Sequence, residues 1–398
     1  MQPGKSSTIW QRAGVLSVCL VAGLGATHWG AESRAANNAA LTPNHNPADA
    51  KLTNTWDAKG AAAYLDGRLG WWMGWPKAAR DHETFCVSCH TALPYALSRR
   101  ALGKEIAEQA PSANERRLLD NVVKRVRLWK EVAPYYSDAD RGAYKTSESR
   151  GTESVLNALV LASRDEQGGR LRDDTRAALH NMWAEQQTGG KQKGAWPWLR
   201  FANEPWEADD SDYFGATLAA VAAGTAPEEY RSRPEIQGNL KMLREYLNRE
   251  SATQTAINRV DLLWAAAKMP GLIDAERRSA IIQEILAKQQ ADGGWSLSTL
   301  TGGWKRADGT AQEARSDGYA TGMVVFALQQ AATPRENAQL QRGLAWLANN
   351  QNKAEGFWPG YSLNKNEAHH LSPETARFMT DAATAYAVLA LSEASRSN

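Results

Sequence analysis

The sequence predicts an all-α protein whose helices form an (α/α)6 toroid with an inner and an outer ring. Amphipathic helices alternate along the chain with helices that are almost wholly apolar. A helix that is apolar on every side must be buried, whereas an amphipathic helix can face water. Six helices of each kind therefore predict six inner and six outer helices. The sequence has no runs with the alternating period typical of β-strands.

One layout recurs in three segments, and a repeat of this length indicates stacked supersecondary units. In each segment a helix ends in Gln, a loop with Gly and Trp follows, and an Asp opens an Ala-rich apolar helix. The loop segments are "AEQQTGGKQKGAWPW" (184–198), "LAKQQADGGW" (286–295) and "LANNQNKAEGFWPG" (347–360). The apolar helices after them read "DDSDYFGATLAAVAAG", "RSDGYATGMVVFALQQA" and "FMTDAATAYAVLALSEA".

Three more apolar helices and six amphipathic helices complete the predicted rings. The apolar ones are expected at 88–102, 151–163 and 259–269, although the fourth unit lacks a Gly-Trp loop. In the amphipathic segment 115–132, apolar residues recur every three or four positions. The other amphipathic helices are expected at 57–69, 171–187, 235–250, 275–290 and 335–350.

These repeats, over about residues 56–395, resemble the QW repeats of squalene–hopene cyclases and of the prenyltransferase/squalene-oxidase repeat superfamily. The resemblance implies a terpenoid cyclase-like toroid in which Gln side chains hydrogen-bond to loop backbone and Trp rings stack. The residues at these positions are Gln187, Gln290, Gln351, Trp196, Trp295 and Trp358. An activity does not follow, because such toroids also carry glycosidases, lyases and binding proteins.

The N-terminus has the pattern of an export signal. Lys5 and Arg12 precede the apolar run 13–26, and small residues near Ala35 offer a cleavage site. We therefore expect a signal peptide at 1–36, a disordered lead-in at 37–55, the toroid at 56–398 and a periplasmic or otherwise exported protein. The alternatives are an uncleaved anchor, although the run is short for a membrane span, and lipidation at Cys19.

The segment "ETFCVSCH" contains Cys-x-x-Cys-His, the attachment signature of a c-type haem. Cys86 and Cys89 would form thioethers to one haem c, and His90 would be the proximal ligand of its iron. The motif opens the first inner helix, at the end of the ring where the Asp-led helices begin. A Cys86–Cys89 disulfide or a zinc site are the alternatives.

Candidate distal ligands of the iron lie in two places. His369 and His370 are in the loop before the last inner helix, which must neighbour the first if the ring closes. Met73 and His82 precede the motif closely. The alternative is that both loop histidines are surface residues and that Met73 packs among its aromatic neighbours.

A cluster of acids, "WEADDSDY" (206–213), precedes the third inner helix. Class II terpene cyclases carry D-x-D-D there, and crowded carboxylates in an apolar cavity raise one another's pKa. This chain departs at the first position, so Asp209 would be the acid. The candidate catalytic residues are Glu207, Asp209, Asp210 and Asp212. The alternative is that Asp212, Asp317 and Asp381 are helix N-caps.

Together these features predict an exported c-type haem protein, a redox enzyme acting on an apolar, isoprenoid-like ligand in the central cavity. The alternatives are a non-enzymatic electron-transfer or haem-sensing protein, and a class II-like cyclase with structural haem. The expected partners are an apolar small molecule and a periplasmic redox protein, while membrane contact is not evident. Since 46 basic residues balance 44 acidic ones, nothing indicates nucleic acid as a partner.

Overall fold

The computed structural model describes residues 56–364 and 373–396, and this part of the chain is almost entirely helical. The all-α prediction is therefore confirmed. The signal peptide, the lead-in and the pair His369 and His370 lie outside the described residues.

Twelve principal helices follow one another in the described residues, joined by shorter elements. In chain order they are α1 (Ala58–Gly74), α2 (Ala92–Glu105), α3 (Ala113–Arg127), α4 (Lys145–Asp165), α5 (Asp173–Ala184), α6 (Asp212–Thr225), α7 (Pro234–Glu250), α8 (Ala256–Lys268), α9 (Ala275–Ala287), α10 (Gly318–Gln330), α11 (Ala338–Asn349) and α12 (Phe378–Arg396). The short helical segments are Asp138–Arg141, Glu166–Gly168, Glu228–Arg231, Ser251–Thr253, Leu297–Leu300 and Pro373–Ala376. A two-stranded antiparallel hairpin, β1 (Ala79–Arg80) and β2 (Thr84–Phe85), precedes α2.

The even-numbered helices pack against one another in a closed order. Contacts join α2 to α4, α4 to α6, α6 to α8, α8 to α10, α10 to α12, and α12 back to α2. These helices are buried on nearly every side, as in α6, where all residues at 212–223 are buried. They are the helices that the sequence predicts as apolar.

The odd-numbered helices pack on the outer side of the even-numbered set. For example, α1 contacts α2 and α12, α5 contacts α4 and α6, and α11 contacts α10 and α12. Each buries a stripe and exposes the rest, as α3 does with Leu118, Val122 and Val126. This one-sided burial is the reason for their amphipathic sequences.

Glycines let two inner helices approach their neighbours closely. A Cβ added to Gly215 would lie 2.2 Å from the Trp198 ring, and one added to Gly322 would lie 2.7 Å from the backbone nitrogen of Ala387. Real side chains do not tolerate such distances, so both positions require glycine. The Gly322 contact joins α10 to α12.

Three Gln side chains tie successive outer helices together. The amide nitrogens of Gln186, Gln289 and Gln351 each donate to a loop carbonyl and to a carbonyl of the next outer segment, at Asn239, Gln339 and Asp57. The Gln351 bond joins the last repeat to the first.

The expected Gln residues are therefore displaced by one position in two repeats. Gln187 and Gln290 follow the tying residues and use their backbone N–H groups to bond the loop carbonyls of Ala195 and Gly294. The Gln290 side chain also donates to a loop carbonyl, that of Ala314, as the resemblance implies. The reason for the displacement is geometric, since only the preceding side chain faces the next outer helix. The Trp residues occupy the expected places: the indole N–H groups of Trp196, Trp295 and Trp358 donate to carbonyls of the preceding helix.

Among the described residues, no helix is both long enough and apolar enough to span a membrane.

Candidate functional site

A cavity of about 310 Å³ opens where the inner helices α2, α4 and α12 begin. We call it the aromatic cavity, because six aromatic side chains line it: Trp72, Trp75, Tyr136, Phe201, Trp206 and Phe378. Polar groups of the loop before α6, at Asn203, Glu204 and Glu207, line the same cavity. Its size is within the range of small-molecule sites.

The Cys-x-x-Cys-His segment forms one wall of the aromatic cavity. Cys86, Cys89 and His90 all line it. The β1–β2 hairpin positions the segment, since the Cys86 N–H donates to the Ala78 carbonyl and the Trp72 indole donates to the Cys86 carbonyl. The hydroxyl of Ser88 then accepts from the first amides of α2.

Both thiols are buried and show no activation as nucleophiles. Burial raises the pKa of Cys86 to about 12 and the pKa of Cys89 well above its ordinary value. The reactive form of cysteine is the thiolate, so both side chains remain protonated at neutral pH. These two cysteines are therefore not suited to act as catalytic nucleophiles.

The hydrogen bonds around His90 select one tautomer of its ring. Thr91 Oγ1 donates to Asp381 at 2.7 Å, so at its 2.9 Å contact with His90 Nδ1 it must accept. The proton is therefore on Nδ1, and Nε2 keeps a lone pair. Burial, with a smaller effect of Arg68, lowers the pKa of His90 to about 3, so the ring is neutral. Phe378 stacks on it with ring centroids 3.8 Å apart.

Asp381 anchors this arrangement and is not a helix N-cap. It lies in the first turn of α12 and accepts from Tyr64, from Arg68 and from Thr91. Burial raises its pKa, which the charge of Arg68 opposes. Among the predicted caps, Asp317 has that role, because its carboxylate accepts from the amides of Ala320 and Leu297.

The predicted acidic cluster is divided between three environments. Glu207 lines the aromatic cavity, where burial raises its pKa to about 7 against the lowering effects of Asn203 and Lys145. Asp212 is buried and pairs with Arg200; burial raises its pKa, while this ion pair lowers it. The two remaining acids, Asp209 and Asp210, are exposed. The four residues therefore do not form one catalytic group.

The division arises because the loop turns back on itself before α6. Glu207 pairs with Asn203 in an isolated antiparallel bridge, which places Glu207 on the aromatic side. Asp209 and Asp210 line a second cavity of about 300 Å³, together with Glu204 and Trp304. We call this second cavity the acidic cavity.

Glu204 also lines this site, although no motif in the sequence singles it out. Its side chain borders both cavities and is 9% exposed. Burial is the main reason that its pKa rises to about 7, and the charges of Asp210 and Asp209 raise it further. The only signal in the sequence is its spacing of three residues from Glu207, in "EPWE".

The candidate distal ligands are not brought together. Met73 is buried in the core and is not among the residues that line the aromatic cavity. His82 is largely exposed and pairs with Asp81. Met379 does line the cavity, at the start of α12, and was not selected from the sequence. In the described part of the chain, no group of three or more His, Cys, Asp or Glu side chains could hold a metal ion.

No family model matches this chain, and no curated protein sequence does. Solved structures with a similar fold include a glycosidase variant, at 14% identity and a TM-score of 0.45, which covers 85% of this chain and 98% of its own. Another is a possible member of the GH105 family from Klebsiella pneumoniae subsp. pneumoniae, at 13% identity and a TM-score of 0.47, with 85% of this chain and 93% of its own covered.

The predicted haem-dependent redox function is corrected by these findings. The similar structures are described as a glycosidase and a GH105 member, and the described residues contain no group that would hold a metal by itself. The same correction applies to the electron-transfer, haem-sensing and cyclase alternatives. At such low identity and TM-score, however, the likeness transfers no substrate or catalytic residue to this chain.

Proposed function

We propose that this chain is an acid–base enzyme whose active site is the aromatic cavity, and that it hydrolyses a glycosidic bond. One observation carries the proposal. Glu204 and Glu207 line the same aromatic cavity, and each carboxyl has a pKa near 7 because it is buried. A catalytic acid is most effective when its pKa lies near the working pH.

The two carboxyl groups suit the two roles that glycoside hydrolysis requires. One carboxylic acid protonates the leaving oxygen, while a carboxylate activates water or attacks the sugar. With both pKa values near 7, a state with one proton on the pair is well populated at neutral pH. Glu207 is our candidate acid, because burial is the only cause that raises its pKa, whereas Glu204 also borders the acidic cavity and is raised by the charges there. The neutral His90 offers Nε2 as a further acceptor.

The rest of the lining supports binding of a carbohydrate. Aromatic faces suit the C–H faces of a sugar ring, and a few fixed polar groups give orientation. Four of the six aromatic walls are partly exposed: Trp75, Tyr136, Phe201 and Phe378. Asn203 and Asn364 provide amide groups at the rim.

Hydrolysis of a panel of nitrophenyl glycosides tests this proposal. We expect release of nitrophenol from at least one sugar by the wild type, and a loss of about 100-fold or more in kcat for Glu207→Gln. Glu228→Gln, on an exposed helix, is the matched control and should keep full activity. A Glu207→Gln variant as active as the wild type, or no hydrolysis of any member of the panel, contradicts the proposal.

We also propose that the twelve helices form the (α/α)6 toroid. The closed order of inner contacts supports it, as does the bond between Gln351 and Asp57, which joins residues 294 positions apart. Two cysteines, one introduced near Asp57 and one near Gln351, should form a disulfide that joins the first and last repeats. A failure of every such pair to cross-link under oxidation would contradict closure.

Covalent haem remains a separate proposal about a cofactor, without the redox function. The residues fit the group, since Cys86, Cys89 and His90 line one cavity and Nε2 of His90 keeps its lone pair. Thr91 would fix the imidazole by accepting a hydrogen bond from its Nδ1–H, and Asp381 would fix Thr91 by accepting from its hydroxyl. A haem bound there would supply an iron centre.

Mass spectrometry separates this cofactor proposal from glycoside hydrolysis. A haem in the aromatic cavity would occupy the space that the sugar needs, so the two proposals exclude each other. The chain, produced with its N-terminus in a host that attaches c-type haem, should gain the mass of one haem. An unmodified chain contradicts the haem. The same sample tests export, because cleavage of the signal would leave a chain whose mass corresponds to a first residue near 36.

A further inference from the structure

The acidic cavity has a lining of one charge sign. Glu204, Asp209 and Asp210 line it together with Asn258, Thr301 and Trp304. No lysine or arginine is among the described residues of this lining. Three carboxyl groups around a cavity of about 300 Å³ create a negative potential that attracts cations.

The environment of Glu204 distinguishes this cavity from an ordinary acidic surface patch. The Glu204 side chain is more than nine-tenths buried, and within the described residues it has neither a hydrogen-bond nor an ion-pair partner. Two other buried acids of this chain do have such partners, since Asp212 pairs with Arg200 and Asp381 pairs with Arg68. Asp261 in α8 is a further buried acid without an ion pair, but it does not line this cavity. The carboxyl oxygens of Glu204 are not fully enclosed by protein, so the carboxyl opens onto a cavity, and a cation there would supply the partner that the protein does not.

Trp304 adds an aromatic face to the same cavity. Trp304 is 37% exposed. In the described part of the chain, Tyr144 is the only other large hydrophobic residue that is exposed. A Trp ring beside carboxylates is the combination that binds organic cations, because the ring face attracts a cation and the carboxylates supply the opposite charge.

We infer that the acidic cavity binds the ammonium group of a small organic cation. The carboxylates of Asp209 and Asp210 face the charge, Glu204 closes the buried side, and Trp304 covers the alkyl part. A bare metal ion fits less well, because the acids of the described residues do not converge as a group of metal ligands. Glu204 also borders the aromatic cavity, but Asp209, Asp210 and Trp304 do not, so binding at the acidic cavity can be tested at these three residues whether or not the chain hydrolyses glycosides.

Isothermal titration calorimetry on the full chain near neutral pH tests the inference with defined probes. Putrescine carries two ammonium groups, and butanediol is its uncharged counterpart of similar length. We expect putrescine to bind with one site and butanediol to give no binding. Calcium chloride is the third probe, and its binding in place of putrescine would overturn the inference in favour of a metal site.

Variants show whether the binding occurs in this cavity. We expect two variants to lower the affinity for putrescine by about tenfold or more. One is the double variant Asp209→Asn and Asp210→Asn, and the other is Trp304→Ala. The matched control is Glu228→Gln with Glu229→Gln, which removes the same charge from an exposed short helix. Equal weakening in the control would show that only net charge matters. That result, the absence of any putrescine binding, or unchanged affinity in both cavity variants would overturn the inference.

Discussion

The two ends of the inner helices differ in how their charges are partnered. At the carboxyl-terminal end, a cavity of about 130 Å³ is lined by apolar residues such as Phe326 and by both basic and acidic residues. These basic residues have partners: Arg164 pairs with Glu115, and Lys268 pairs with Glu166. Helix carbonyl ends carry partial negative charge and favour cations, so this end is explained by helix stability alone.

The amino-terminal end contains carboxyl groups that structure alone does not explain. Helix amino ends favour anions, and Asp317 serves that purpose as a cap. Glu204 and Glu207, however, cap no helix and form no ion pair among the described residues. The comparison shows that the presence of charge does not mark a functional site in this molecule. An acid that lacks an ion pair and lines a cavity does, as at Glu204 and Glu207. Asp261, in the middle of α8, also lacks an ion pair but lines neither cavity.

The largest expected effect is the loss of stability on breaking the buried ion pair at the amino-terminal end, compared with breaking a partly exposed pair at the other end. Arg68→Met leaves Asp381 buried without its cation, and breaking such a pair costs about 3–5 kcal/mol. Lys268→Met breaks the partly exposed pair with Glu166, which should cost at most about 1 kcal/mol. Urea unfolding of both variants measures the difference. Equal losses would mean that the two ends are not distinguished by burial.

Glu207→Gln should stabilise the fold, and only at high pH. The carboxyl has a pKa of about 7 in the folded chain against 4.5 as its ordinary value. Its ionisation therefore costs nothing below pH 4.5, and stability is lost progressively as pH rises to about 7. Above pH 7 the Gln variant should be more stable by at most about 3 kcal/mol.

Thermal unfolding of this variant on both sides of the window checks the sign. Tm should match the wild type below pH 4.5 and exceed it above pH 7. Glu228→Gln, an exposed control, should show no such trend. A Glu207→Gln variant that is less stable than the wild type at high pH would mean that the carboxylate has a partner we have not identified.

The Gln side chains that tie the outer helices also hold the loops of the amino-terminal end. Substituting Gln186 and its neighbour Gln187 in turn measures how much such a tie contributes to stability. Gln186 makes three side-chain hydrogen bonds, to Gly194 and Asn239, whereas Gln187 uses its backbone. Gln186→Leu should therefore cost about 2 kcal/mol, and Gln187→Leu less than about 0.5 kcal/mol. Chemical denaturation of the pair measures both. A larger loss at Gln187 would restore the assignment made from the sequence.

The helices and the Trp positions could be predicted because both depend on periodicity. Burial on all sides produces apolar helices, and Trp196, Trp295 and Trp358 repeat with them. The tying Gln could not be chosen between neighbours such as Gln186 and Gln187, because one residue rotates the side chain by about 100°. The tie depends on which of the two faces the next outer helix.

The candidate site could be predicted only in part, because a loop has no period. The Cys-x-x-Cys-His segment and Glu207 line one cavity. The turn between Asn203 and Glu207 sends Asp209 and Asp210 to a different cavity. No sequence pattern indicates that turn. For the same reason Glu204 was missed, since its importance comes from burial without a partner.

The smallest expected effect concerns the wall between the two cavities. The charges of Asp209 and Asp210 raise the pKa of Glu204 but are not among the causes that act on Glu207. The double variant Asp209→Asn and Asp210→Asn should therefore lower the pKa of Glu204 and leave that of Glu207 unchanged. Carboxyl resonances of Glu labelled with carbon-13 report both values in one NMR titration. If both values fall together, the two cavities share one electrostatic field and the acidic cavity is part of the active site. If only Glu204 responds, the wall separates them, and ammonium binding on one side can adjust a catalytic carboxyl on the other without entering its cavity.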